Sequence, residues 1–513
     1  MASRRDELNA YTFARRRLVG QFLQPNPHGT EEGWPRPLRA VVPGAIVAVV
    51  LLAAFGAWGM FKPAAPKDWD KPEEHVIISS KSTTRYVILV TDGRKQLHPV
   101  LNMSSAKLLL RPDKGKVINV DESVLDNGKI PHGPTLGIPY APDRLPDAEE
   151  AGAKKRWVVC ERLGDGGRAI QKAAFILAQR DMDRTEGAER LRGGELMYVE
   201  GPDRTLYVVD AGGTAYPLKN EELLLRTVVG EDRTPQRVSA GWLETLHKGD
   251  TIAFPEIQGT PGEDAGIPGQ LSGEANRVGM VLEAPSGTRM QKYVVLKGRV
   301  APVSDFMAKL LLSSKDMTTL GQASRALSVS TGAITPGDPF GAEKTWPRVE
   351  PNPVNSPSTA EGSRNTVCNV LREVDEDNQG ATTLSTWAGK DFPAPLPTGS
   401  SSAYVTPGSG QFFRQFTGSS TRSGFFFLVT DTGLRYAMQS NDDSETDDAG
   451  IGSSGSAAER REQREAALQE AQRAQNRLGY KDVTPAPIPA AWSAFLPTGP
   501  RLSTGAARQP QGS

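Results

Sequence analysis

Two cysteines, five histidines and several acidic residues before glycine turns are the side chains that could carry chemistry in this chain, and their spacing supports very little of it. Cys160 and Cys368 stand far apart, with no CxxC pair for redox or zinc chemistry. What remains for them is a bridge, or two separately buried thiols. His28, His75, His98, His132 and His247 are scattered without zinc-ligand spacing, and neither HExxH nor GxSxG occurs. Gly164-Asp-Gly-Gly167 resembles a phosphate loop but lacks the lysine and hydroxyl that hold phosphates and magnesium. Asp92 and Asp431 occupy matching places in two similar stretches, which would suit paired carboxylates acting as acid and base. An aspartate before a glycine turn is more simply a turn residue. The acidic run Asp442-Asp-Ser-Glu-Thr-Asp-Asp448 lacks the spaced ligands of a calcium loop and reads as a solvated insertion. No catalytic residue, cofactor or metal is expected, and ATP has no recognisable seat.

The elements that must position these residues begin with an uncharged apolar run, Ala40 to Phe61, between Arg39 and Lys62. Its length matches the ~20 residues a helix needs to cross a ~30 Å hydrocarbon core. The expectation is an uncleaved transmembrane helix over 40–61, with Pro43 in its first turn and Trp58 near an interface. A cleaved signal peptide fits less well, because a long polar segment precedes the run. Arg4, Arg5, Arg15, Arg16, Arg17, Arg36 and Arg39 all lie before the run, which keeps the N-terminal side in the cytoplasm and places the bulk of the chain outside the plasma membrane. Both cysteines then meet an oxidising exterior, so a Cys160–Cys368 disulfide is expected. Closing a loop of about 200 residues contributes on the order of 5 kcal/mol in the chain-entropy account.

Within 1–39, Leu8, Tyr11, Leu18 and Phe22 recur at helical spacing, and Ser3 with Asp6 resembles a capping box. This predicts an amphipathic cytoplasmic helix ending near Pro25-Asn-Pro27. Its partner-contacting residues are Leu8, Tyr11, Arg15, Leu18 and Phe22; the alternative is a helix resting on anionic lipid. Lysine plus arginine equals aspartate plus glutamate at 60 each, so no global field draws a polyanion and nucleic acid is excluded as an expected partner.

Beyond the span the chain repeats itself. Tyr86–Gly93 (YVILVTDG), Leu206–Gly213 (LYVVDAGG), Tyr293–Gly298 (YVVLKG) and Phe426–Gly433 (FFLVTDTG) each run a β-prone strand into a glycine turn. A second short strand follows at Leu97–Val100, Ala215–Leu218, Val300–Val303 and Arg435–Met438, the last with Ala437 where the others have proline. The first three copies continue into leucine triplets, 108–110, 223–225 and 310–312, on a predicted short helix. The tails pair the copies: Ile130-Pro-His-Gly-Pro134 resembles Leu496-Pro-Thr-Gly-Pro500, and Leu246-His-Lys-Gly-Asp250 resembles Ile334-Thr-Pro-Gly-Asp338. One cysteine lies between the first and second units and the other between the third and fourth. One supersecondary unit used four times around a bridged centre accounts for that order.

The expected fold class is therefore α+β and β-rich: one N-terminal transmembrane helix, then an elongated extracytoplasmic body with a central core domain and four small repeat domains in pseudo-two-fold arrangement. The expected limits are a linker at 62–74, repeats at 75–145, 204–256, 291–345 and 424–502, core segments at 150–203, 278–290 and 346–423, and a flexible tail at 503–513. Gly259–Gly273 and the remainder of 257–277, Trp346–Ser363 and Ala394–Gly410 read as surface connections or mobile loops. An insertion starts at Asn441, followed by a mostly wet helix over Glu459–Leu478 that ends at Gly479.

The whole length resembles the EccB family, a membrane component of the actinobacterial type VII (ESX) secretion machinery. The resemblance rests on Asn9-Ala-Tyr-Thr-Phe-Ala-Arg-Arg-Arg-Leu18, on Pro37-Leu-Arg-Ala-Val-Val-Pro43 and Gly56-Ala-Trp-Gly-Met-Phe-Lys-Pro63 flanking the span, on the recurring VTDG and VTDTG turns, and on the cysteine pair. It implies a single-pass subunit with a disulfide-crossed core and four repeat domains. It also implies partners: an EccC-like motor ATPase, EccD, EccE and further EccB copies in one large membrane complex, a mycosin protease nearby, and plasma membrane lipids. Family descriptions also speak of an ATPase, a label with no residue here to carry it. The competing readings are an extracytoplasmic hydrolase and a cell-wall-binding anchor.

Overall fold

The computed structural model describes residues 4–23, 38–60, 65–164, 169–358, 360–397, 402–438 and 457–511. It divides into two units, Met1–Pro66 and Lys67–Ser513.

The N-terminal unit contains two helices, α1 (Arg4–Leu23) and α2 (Leu38–Met60). Helix α2 begins two residues earlier than expected, so Pro43 lies beyond the first turn and removes one main-chain bond from the helix interior. Its described side chains, Val41 to Gly56, are exposed and apolar. Among the described residues no helix is long and apolar enough to cross a membrane. Trp58's side chain, Ser3, and the expected break at Pro25–Pro27 lie outside the described residues.

The body is built in chain order from repeated small sheets. The first unit comprises β1 (His75–Ser79), β2 (Arg85–Thr91), β3 (Arg94–Val100), α3 (Met103–Leu109) and β4 (Lys116–Val120), with sheet order β3-β2-β1-β4. The hairpin β5 (Arg156–Leu163) and β6 (Ile170–Leu177) follows. The second unit has β7 (Glu195–Glu200), β8 (Leu206–Asp210), β9 (Thr214–Leu218), the helix Glu222–Val229, β10 (Gln236–Arg237) and the added edge β11 (His247–Lys248). The third has β12 (Val281–Ser286), β13 (Arg289–Leu296), β14 (Arg299–Val303), the helix Asp305–Ser313 and β15 (Leu327–Ser328). Strand β16 (Asn352–Pro353) joins β7, and the hairpin β17 (Thr366–Asp375) and β18 (Ala381–Gly389) precedes β19 (Ala403–Val405). The fourth unit has β20 (Gly410–Phe416), β21 (Phe425–Thr430), β22 (Arg435–Ala437), the helix Ala457–Leu478 and β23 (Ala486–Pro489).

All four units share one plan: an antiparallel meander, a helix, and a strand that returns parallel to the first strand of the meander. The first strands β7, β12 and β20 lie inside stretches assigned on sequence to the core, so three units start earlier than expected and 278–290 is no core segment. Glycines follow these strands too, at Gly201, Gly287 and Gly418, but an apolar run does not announce which sheet it joins. The short helices are capped where the sequence provides a side chain: Asn102 Oδ1 accepts from Ser105 N at 2.9 Å, and Ser304 Oγ from Met307 N at 3.1 Å.

The repeated tails return to the meander as well. His132, Lys248, Pro336 and Thr498 each bridge in parallel to the third strand of their own unit. Their glycines explain the motif. A Cβ on Gly133 would stand 2.2 Å from the His98 ring, on Gly249 2.3 Å from Tyr216, and on Gly499 2.4 Å from Tyr436. The third unit has Ala301 at the ring position, and a Cβ on Gly337 meets nothing closer than 3.6 Å.

Packing joins the units in a definite order. One core merges the first and fourth through Leu108, Leu109, Ala471, Ala474 and Leu478; another merges the second and third through Leu224, Val228, Phe306 and Leu310. Among its described side chains the helix Ala457–Leu478 buries Ala471, Ala474 and Leu478 on one seam and exposes Glu465, Ala466, Leu468 and Gln469. Its seam is alanine, which hydropathy barely registers and which lets helices approach closely. Nor is the C-terminal stretch a flexible tail: the helix Thr504–Ala507 buries Ala506 and Ala507, and Gln511 Nε2 donates to Gly137 O at 2.9 Å. The glycine- and proline-rich loop near 257–277 folds over the third unit, burying Ala265 and Ala275.

Candidate functional site: the bridged central sheet

Two β-branched runs meet side by side at the centre of the body. The sheet order β18-β17-β5-β6-β19 puts the two long hairpins back to back, with Cys160 directly opposite Cys368 in the β5–β17 register. The pair is joined by a disulfide with a Cα–Cα distance of 4.1 Å, and both residues are wholly buried. Val158, Phe175, Val370 and Trp387 share this face with the bridge.

The opposite face is the seat for two of the four units. Trp157, Val159, Ile176, Val367 and Leu371 pack against Met197, Val199 and Val209 of the second unit and Phe413, Phe427 and Val429 of the fourth. Trp157 meets the Phe413 ring edge-on at 5.1 Å and donates from Nε1 to Gln411 Oε1 at 2.7 Å. Each seated unit adds a one-turn helix, Ala240–Glu244 or Ala490–Ser493, whose Trp242 or Trp492 is buried in the same core.

Polar groups fix the register of this seat. Asn369 Nδ2 donates to Trp242 O at 3.1 Å and Thr245 Oγ1 at 2.7 Å. Glu161, fully buried, accepts from Ser239 N at 2.7 Å and from the Ser239 hydroxyl, with Lys172 Nζ 3.9 Å away. Burial pushes its carboxyl above the usual range, against the pull of Ser239 and Lys172. Glu186 gathers three guanidinium groups: Arg156 at 2.8 Å, Arg190 at 2.6 Å, and Arg372. Burial opposes its charge, yet the hydrogen bonds from Arg372 and Arg190 hold its carboxyl below the ordinary value. These contacts tie the 3-10 turn Gln179–Thr185 and the residues after it to the sheet.

The residues singled out for chemistry are not brought together. Asp92 (φ +51°) and Gly93 (φ +75°) form the two-residue turn between β2 and β3, and Asp92 is exposed. Asp431, in another unit, accepts from Gly408 N at 2.9 Å. His98 is buried with Nδ1 3.0 Å from Pro134 O, His132 lies 3.3 Å from Asp126, and His247 Nε2 lies 2.8 Å from Thr382 Oγ1. Gly164 closes the β5–β6 hairpin by donating to Ala169 O at 2.8 Å, while 165–167, His28 and the acidic run 442–448 lie outside the described residues. Among the described residues no three metal-ligating side chains cluster.

On α1, Leu8, Tyr11, Arg15, Leu18 and Phe22 are all exposed, Phe22 at 90%. The sequence reading missed Trp242, Trp492, Glu161 and the Glu186 cluster. For the tryptophans a signal existed, since the second and fourth units each carry one within a few residues of the returning strand. For buried acids none did.

Comparison with known proteins agrees with this architecture. The ESX-3 secretion system ATPase EccB3 of Mycolicibacterium smegmatis is 24% identical over 478 residues, covering 86% of this chain and 83% of that protein. The ESX-1 secretion system ATPase EccB1 of Mycobacterium tuberculosis is 25% identical over 313 residues, 60% of this chain and 61% of its own length. A chain of an intact ESX-5 inner membrane complex superposes with a TM-score of 0.57 at 20% identity, covering 100% of this chain and 96% of that one. An EccB3 dimer from an ESX-3 core complex gives 0.55 at 21% identity, over 85% of this chain and 99% of that one. The family model described as type VII secretion system ESX-1, transport TM domain B, matches residues 1–512, and the chain belongs to that family, the EccB proteins.

Proposed function

We propose that this protein is a structural subunit of a type VII secretion membrane complex, working by anchoring and binding. The single observation that carries the reading is the family match from end to end of the described chain. In this reading the anchor is the whole apolar run Ala40 to Phe61, a helix of roughly 33 Å at 1.5 Å per residue, of which the described side chains, Val41 to Gly56, are only a part. The arginines before it keep α1 cytoplasmic, and the body stands outside the plasma membrane. The exposed face of Leu8, Tyr11, Arg15, Leu18 and Phe22 docks on neighbouring subunits, for which the family supplies an EccC-like motor ATPase, EccD, EccE and further EccB copies, with a mycosin protease nearby. The body is pseudo-two-fold: first unit, hairpin and second unit correspond to third unit, hairpin and fourth, about an axis at the Cys160–Cys368 pair. Its role is to hold copies at a fixed geometry around the exit path.

The experiment is to extract a tagged chain from native membranes in mild detergent and measure the mass and composition of its particle. A very large particle containing an FtsK-like ATPase and a multi-span protein is expected; a lone chain or small oligomer, where other complexes stay intact, overturns the reading. The relatives' names carry the word ATPase, so ATP turnover is measured on the same material. Turnover that one substitution in the body abolishes would favour the enzymatic reading instead.

A further inference from the structure

The disulfide face of the central sheet is closed by something unlike the rest of the body. After β18 the chain runs Asp391-Phe-Pro-Ala-Pro-Leu-Pro397 across it, placing Ala394 in the core beside the bridge and packing Phe392 and Leu396 against the same cluster. Phe392 lies 5.7 Å from Phe175, and the Arg162 guanidinium stacks over its ring at 4.4 Å. Three of the seven residues are proline and cannot donate a main-chain bond. Among the described residues no hydrogen bond is made by the backbone of 391–397; the nearest is Thr366 Oγ1 to Lys390 O at 3.0 Å, just before it. The sheet beneath is held very differently. β17 is flanked by β5 and β18 along most of its length, with its other face buried under two units.

Segments held only by side-chain packing open at far lower cost than strands held on both edges. We propose that Asp391–Pro397 is a strap that opens as a local unit from the folded body, and that it gates access to the Cys160–Cys368 bridge. With the strap down, both sulfurs are out of reach. With the strap up, a thiolate attacks one sulfur and forms a mixed disulfide. The second thiol of the reagent closes its own ring and releases Cys160 and Cys368 as thiols; two electrons and two protons pass from reagent to protein. The reverse reaction, with an oxidised dithiol of the same class, installs the bridge after the hairpins have already paired. A dithiol–disulfide oxidoreductase therefore has a substrate here in the folded protein, with a proline-rich lid as its point of entry.

The test uses the full chain in detergent with dithiothreitol as the probe. Exchange is followed by alkylation and mass analysis at rising urea, beside circular dichroism. The expected result is that exchange proceeds where the dichroism is unchanged, and depends on urea much less steeply than global unfolding does. Pro393→Gly with Pro395→Gly loosens the strap without touching the bridge, and should speed exchange about four- to thirty-fold, from the chain entropy of two prolines. Exchange that tracks global unfolding in the unaltered protein overturns the proposal, and that readout needs no variant to fold. A folded double variant with unchanged exchange overturns it equally.

Discussion

The four tail glycines allow one substitution to be made at equivalent places with opposite outcomes. Alanine at Gly249 puts a methyl 2.3 Å from Tyr216 Cδ1 and 2.5 Å from Cε1, and at Gly499 it puts one 2.4 Å from Tyr436 Cε1. Real contacts do not come so close. The obstacle in each case is a buried ring, Tyr216 at 3% and Tyr436 at 1% exposure, which cannot swing aside without moving its sheet. Overpacking of this kind costs about 1–3 kcal/mol. At Gly337 the nearest atom is 3.6 Å away, the backbone is not in the left-handed region, and alanine should stabilise by about 0.4–1 kcal/mol through the unfolded chain. A body of this size has an unfolding entropy near 1 kcal/mol per degree, so the expected shifts in Tm are roughly 1–3 °C down for Gly249→Ala and Gly499→Ala, and up to about 1 °C upward for Gly337→Ala. Differential scanning fluorimetry of the full chain in detergent resolves these. Tyr216→Ala combined with Gly249→Ala should destabilise by less than the sum of the two single changes, since the two side chains compete for one space. Equal destabilisation by all three alanines, or none by any, would refute the account of the motif as a ring seat.

Other outcomes follow from the same structure. Glu161 is raised in the folded state, so its contribution is fully present below its ordinary value of 4.5 and is lost as pH rises through the folded value. The Tm of Glu161→Gln relative to the unaltered protein should therefore rise as pH is raised above about 4.5; a difference flat with pH would contradict the burial of its charge. Replacing both Cys160 and Cys368 by alanine removes a 208-residue closure worth up to about 5 kcal/mol, lowering stability while the β5–β17 pairing survives in hydrogen exchange. Arg477 Nη1 donates to Leu108 O at 2.6 Å near the end of α3, so Arg477→Ala should cost about 1–2 kcal/mol and raise exchange chiefly in α3. Changing Leu18 and Phe22 to serine should strip co-purifying membrane components from the chain without altering the Tm of the body; retention of the full complex would remove α1 from the docking surface.

Much of this was legible because local chemistry announces local structure. Each VTDG-like turn marked a hairpin, the leucine triplets marked helices, and the placement of two cysteines between units anticipated a bridged centre. What was hidden is what depends on partners remote in sequence. Strands β7, β12 and β20 look like any apolar run until the sheet they join is known, and the alanine seam of Ala457–Leu478 looks polar until α3 lies beside it. Glu161 is an ordinary acid in sequence. Its hydrogen-bond partner is Ser239, 78 residues away. Proline- and glycine-rich stretches misled in a consistent way: 257–277 and Ala394–Gly410 read as surface connections, yet the first buries Ala265 and Ala275 and the second begins at a buried Ala394.

The seat of the first unit is finished by the last residues described. Ala106, Leu108 and Leu109 are covered by 471–478 and 504–507, and Leu136 is bridged by Pro510, with Arg508 near Glu73. A chain emerges in order, so the unit made first stays open until some four hundred residues have followed it. Until then its leucines face whatever escorts a nascent chain. The stretch from Ala471 to Pro510 is thus what closes the body, and a chain lacking it would leave its first unit unsealed.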